Sequence, residues 1–154
     1  MGYPELAQLL RRRGVAEGRI HLAHMRELFR RMAFNILIDN TDDHEKNHVL
    51  LMTARGDYAL SSAFDVLPSG QALGCQQMRV GADEADATLS NALSEHSQFG
   101  LRAAEAIEQV RRVCEVVSGW QAHFVSCDVS STDIDSLAEQ IDRPFMLDQR
   151  GACR

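Results

Sequence analysis

The sequence predicts a mainly α-helical domain carrying one small β-hairpin. Two observations point to helices: apolar residues recur every three or four positions between residues 22 and 38, and again between 107 and 120. A third points to the hairpin: two short apolar runs are separated by a glycine-containing turn at residues 54–57. The chain has 154 residues, 45% of them hydrophobic and 25% charged, which suffices for one buried core. No linker, repeat or low-complexity tract divides it, so residues 1–154 read as a single domain.

Pro4 opens a first helix that runs to about Arg13 and is ended by Gly14. A second helix runs from about Leu22 to Ile38, with Met25, Leu28, Phe29, Met32, Ile36 and Leu37 on its buried face. Nine polar residues, Asp39 to Asn47, then break the pattern and predict a loop, or a loop passing into one turn. Val49–Met52 and Tyr58–Leu60 are the expected strands, and Pro68-Ser69-Gly70 a further turn. Beyond residue 85 the chain reads as helical. Ile107, Val110, Cys114 and Val117 form an apolar stripe leading towards Trp120. Thr132 and Asp135 have the spacing of a capping box for a final helix, about Asp133 to Ile141.

Charge and composition exclude several classes. A net charge of −6 argues against a general nucleic-acid binder. No apolar run approaches the ~20 residues of a membrane span, and the Arg-bearing start lacks a signal-peptide core. Residues 1–31 nevertheless carry a net of +4 against −10 for the rest, the mark of a solvated arginine face or of a surface for an anionic partner. The four cysteines lack a C-x-x-C spacing and read as reduced thiols in a cytoplasmic protein.

Two motifs overlap in the polar loop. Asp42 and Asn47, with four residues between them, have the spacing of a kinase catalytic loop, and Asp65 follows eighteen residues later. Phosphoryl transfer needs a carboxylate to take the hydroxyl proton and hard oxygen ligands for Mg²⁺. The hairpin would bring Asp65 back towards Asn47, with Phe64 and Val66 anchoring it on either side. The competing motif is His44-Glu45-Lys46-Asn47-His48, the HExxH of zinc metallopeptidases, which requires an α-helix to point both rings at one ion. An EF-hand starting at Asp39 is excluded, because His44 stands where Gly belongs and Leu50 where Glu belongs.

The wider context resembles one family. Phe34-Asn35-Ile36-Leu37-Ile38-Asp39-Asn40-Thr41-Asp42-Asp43-His44-Glu45-Lys46-Asn47 is similar to the F-N-x-x-I-x-N-T-D-x-H-x-K-N stretch of HipA-like serine/threonine kinase toxins. Leu60-Ser61-Ser62-Ala63-Phe64-Asp65-Val66-Leu67-Pro68-Ser69 resembles their L-S-P-A-[YF]-D-L-L-P-[ST], with Ser62 in place of Pro. Tyr3–Ala7, Met78–Gly81, Asn91–Ser94 and Phe99–Leu101 extend the likeness.

The resemblance implies the C-terminal lobe of a protein-kinase-like fold. It also implies Asp42 as catalytic base, Asn47 and Asp65 as ligands of Mg²⁺ with ATP, His44 bracing the loop, and Lys46 near the transferred phosphate. The implied substrate is a protein hydroxyl, in known members on aminoacyl-tRNA synthetases, and the implied partner is an antitoxin. No G-x-G-x-x-G is present, and the single lysine is Lys46. The N-terminal ATP-clamp lobe is therefore expected to lie outside this chain. The isolated chain is expected to be weak or inactive unless complemented, or to serve as a non-catalytic module that binds an antitoxin.

Overall fold

The computed structural model describes residues 1–153. Helix α1 (Tyr3–Arg13) carries Pro4 in its first turn, and the Glu5 carboxylate accepts from the Gly2 N–H at 2.8 Å. Helix α2 (Ile20–Leu37) crosses it, and all six apolar residues expected on its inner face are fully buried. Strands β1 (Leu50–Met52) and β2 (Tyr58–Leu60) pair antiparallel, Leu50 opposite Leu60, around a turn in which Gly56 takes a φ of 82°. The hairpin is tied to the helices, because the Val15 N–H donates to the Tyr58 carbonyl at 3.1 Å.

Four short helices and a longer one complete the chain: α3 (Leu89–Ser94), α4 (Ala103–Ser118), α5 (Trp120–Ser126), α6 (Ser131–Ile141) and α7 (Pro144–Gly151). Gly81 is required by crowding, since a Cβ there would stand 2.1 Å from the Asn91 carbonyl oxygen. One core joins Tyr3, Leu6 and Leu10 of α1 to the inner face of α2, Phe99, and Val110, Val113 and Val117 of α4.

The C-terminal third departs from expectation in three places. Ile107 is 57% exposed; the inner face of α4 is Ala106, Val110, Val113, Cys114 and Val117. Val110, Cys114 and Val117 of the expected stripe are buried, and only its first member differs, with Ala106 taking the inner place of Ile107. We expect Ile107→Ala to change the unfolding free energy by less than about 0.5 kcal/mol. Val110→Ala should cost about 2 kcal/mol, read by urea denaturation. The cap of α6 is Ser130, whose hydroxyl accepts from the Asp133 N–H at 3.2 Å, two residues before the expected Thr132. And α6 is not the last helix: Pro144 starts α7.

All four cysteines are free; Cys114 is buried, and desolvation pushes its thiol up to about 12. Among the described residues, no helix is long and apolar enough to cross a membrane.

Candidate functional site

The polar segment after α2 is largely interior. Asp39, Asn40, Thr41, Asp43, Asn47 and His48 are all buried, and only Asp42, Glu45 and Lys46 are open to solvent. Interior polar groups are normally paired, and a continuous chain of hydrogen bonds pairs Asn40, Asp43 and His48 Nε2, leaving His48 Nδ1 without a partner. The Asn40 side-chain amide donates to Asn35 Oδ1 at 3.2 Å, and the Asn35 amide to the Tyr3 hydroxyl at 3.1 Å. The Tyr3 hydroxyl in turn donates to the Asp43 carboxylate. His48 Nε2 donates to the same Asp43 oxygen at 2.8 Å, its ring edge-on to Tyr3 with centroids 5.4 Å apart. Burial, then the charge of Asp43, holds the Tyr3 phenol well above its ordinary 10.0, so it remains a donor.

This chain braces the loop from beneath and leaves Asp42 facing outward. Asp42 accepts from the Gln77 amide at 2.6 Å. The hairpin returns the backbone so that Asp65, in a left-handed conformation at φ 55°, stands against Asn47, with Asn47 Nδ2 3.3 Å from Asp65 Oδ2. Asp42, Asn47 and Asp65 line one cavity of about 280 Å³, closed by Asn40, Leu67, Pro68, Ser69 and Gln71. Ser69 shapes its wall: its hydroxyl meets that of Thr41 at 2.6 Å and donates to the Asp39 carbonyl at 2.9 Å.

Three of the five residues singled out from the sequence are thus together. Lys46 is exposed on the turn and His44 is half-buried, both outside the cavity lining, and His44 Nδ1 is buried without a hydrogen-bond partner. The bracing visible in the loop comes from His48. Phe64 and Val66 do not anchor Asp65 in the core. They are 46% and 39% exposed and line a larger groove of about 620 Å³ with Phe34, Val113 and Val116. What fixes Asp65 is its contact with Asn47.

The zinc alternative lacks its geometry. His44 and His48 flank a single 3₁₀ turn, Glu45–Asn47, and His48 Nε2 is engaged by Asp43. Among the described residues, no group of three or more His, Cys, Asp or Glu side chains is placed to hold a metal.

Tyr3, Asn35, Asn40, Asp43, His48 and Gln77 have roles that sequence reasoning missed. Asn35 offered the one readable signal: it interrupts the apolar face of α2 between Met32 and Ile36, and a buried amide there demands partners.

A mostly helical lobe with a hairpin that delivers an Asp to an Asp–Asn loop is the architecture of a kinase C-terminal lobe. A family model described as the HipA-like C-terminal domain matches residues 1–120, and the chain belongs to that family. No curated protein and no solved structure matches it.

Proposed function

We propose that this domain is the catalytic lobe of a HipA-like serine/threonine protein kinase, transferring phosphate from ATP to a protein hydroxyl within a toxin–antitoxin system. The observation that carries this reading is the convergence of Asn47 and Asp65, from two separate stretches of backbone, on a cavity that Asp42 also lines.

The donor set fits Mg²⁺. One carboxylate and one side-chain amide are hard oxygen donors, and this ion commonly takes one or two carboxylates plus phosphate and water oxygens. Asn47 and Asp65 would hold it, the amide turned to present its oxygen. When bound, the ion neutralises phosphate charge and orients the nucleotide. Asp42 accepts the proton of the incoming hydroxyl, an exposed position that a protein substrate reaches directly. Gln77 holds that carboxylate in one orientation at 2.6 Å. His48 and Asp43 fix the loop backbone from the interior.

The roles of His44 and Lys46 rest on the resemblance alone: His44 packing inside the loop, and Lys46 swinging from the turn to the transferred phosphate. No other lysine exists in the 154 residues to grip the ATP phosphates, so full turnover needs a second lobe or a complementing chain. Substrates of the aminoacyl-tRNA synthetase kind and an antitoxin partner belong to the same reading.

The test is titration of the purified chain with Mn²⁺ as a paramagnetic substitute for Mg²⁺, with and without ATP. We expect weak, ATP-enhanced binding that falls at least tenfold in Asp65→Asn and in Asn47→Ala. Stoichiometric Zn²⁺ held by His44 and His48, or Mn²⁺ binding indifferent to both substitutions, would overturn the reading.

A further inference from the structure

Asp39 ends α2 in an unusual state. Its φ is 59°, in the left-handed region that costs a residue with a Cβ, and its carboxylate is 2% exposed. Two groups compensate that buried charge. Arg143 Nη2 lies 2.8 Å from Asp39 Oδ2, and the Ala72 N–H donates to the same oxygen at 3.3 Å. The Asp39 carbonyl accepts from both the N–H and the hydroxyl of Ser69. One residue therefore ties the end of α2, segment 69–72 and the start of α7 at a single point.

Arg143 is itself held in place. It is the N-cap of α7, its Nε donates to the Gln140 carbonyl at 3.2 Å, and its neighbour Asp142 is a fixed node. The Asp142 carboxylate accepts from Trp120 Nε1 at 3.2 Å, from Gln121 at 2.8 Å and from the buried Arg150. Gln140 also closes over Gly70, where a Cβ would lie 3.3 Å from its amide. These groups, Trp120 apart, lie beyond the residues matched by the family model, so this chain's C-terminal helices press on the wall of the cavity through a contact of their own.

We infer that Arg143 is a positioning residue: by gripping the Asp39 carboxylate it locks the end of α2 to segment 69–72, and so sets where Asp42 and Asn47 stand against the cavity wall. Removing the guanidinium leaves a buried carboxylate with one backbone N–H for company, and the cheapest relief is for Asp39 to swing out to water. That movement drags Asn40–Asp42 with it and frees Ser69 from the Asp39 carbonyl.

The consequence for phosphotransfer rests on the proposed function; the locking does not, and the experiment separates them. Amide hydrogen exchange is compared in wild type, Arg143→Ala, Arg143→Lys and Asp39→Gly, all without nucleotide. Glycine accepts the backbone conformation of residue 39 but has no carboxylate. We expect peptides covering 38–48 and 68–73 to exchange at least about tenfold faster in Arg143→Ala and in Asp39→Gly, with peptides of α1 and α4 unchanged. Arg143→Lys should restore most of the protection. The double variant should be no worse than either single one, because the two side chains act through one contact. Mn²⁺–ATP affinity should fall at least fivefold in Arg143→Ala. Faster exchange spread evenly over the chain, or none at 38–48 and 68–73, overturns the inference. Local loosening in the variants, together with a wild-type protein that binds no Mn²⁺–ATP, leaves the clamp standing and removes the kinase reading.

Discussion

With a complementing lobe supplied, Asp42→Asn should reduce phosphate transfer from γ-labelled ATP onto proteins of a cell extract to the level of the extract alone. The loss of a positioned general base is worth 10²- to 10⁴-fold. Asp42 is exposed and contributes nothing to the buried chain beneath the loop; its carboxylate accepts from the Gln77 amide at the surface. Thermal midpoint and Mn²⁺–ATP affinity should therefore stay close to wild type. That combination, intact fold and ligand binding with transfer abolished, is the signature of a base. Unchanged transfer would remove Asp42 from the chemistry, and a large fall in midpoint would make it structural instead. A protein that fails to transfer label even with a complementing lobe supplied would favour a non-catalytic binding module.

Asp43→Ala, one residue away, should do the opposite and unfold the protein readily. The substitution strips the acceptor from two interior donors at once, the Tyr3 hydroxyl and His48 Nε2, and both side chains are almost wholly enclosed. Unpaired buried donors cost ~1–3 kcal/mol each, so removing the acceptor that two of them share costs about 3–5 kcal/mol in total. In a chain of this size that lowers the thermal midpoint by about 10 °C. Tyr3→Phe loses one donor only and should cost about 1–2 kcal/mol.

The same tyrosine gives the stability profile an alkaline limb. Its folded-state ionisation lies well above 10.0, pushed up first by burial and then by Asp43, whereas the unfolded chain releases that proton near 10.0. Stability is therefore fully present below pH 10 and declines as pH rises beyond it, where the unfolded state binds fewer protons. Tyr3→Phe should flatten this decline, and denaturant midpoints measured from pH 8 to 11 will show whether it does.

Adjacent aspartates in opposite surroundings, Asp42 exposed and Asp43 buried, show how much of the site was legible. The spacing of Asp42, Asn47 and Asp65 is visible as letters, because chemistry constrains residue type and separation in the chain. The α2 face was equally legible, since six apolar residues at helical spacing leave one way to bury them. The interior placement of Asp43 and His48 was not, because a run of nine polar residues reads as solvated. Only the arrival of Tyr3 from α1 turns that run inward. Likewise Ile107 fits the α4 stripe by count, and only the packing of α4 against α2 shows that Ala106 takes the inner place. Asp39 and Arg143 are separated by most of the chain, and no local pattern announces their meeting.

Tyr3, the first residue of the first helix, ends its reach on the carboxylate next to Asp42. Practical dissection of this protein is constrained accordingly. A fragment trimmed by a few residues at its start would keep every group that lines the cavity, yet lose the hydroxyl on which Asn35 and Asp43 both lean. Fusion tags, cleavage sites and library boundaries are best placed ahead of Gly2, since the loop's architecture begins there and not at residue 39.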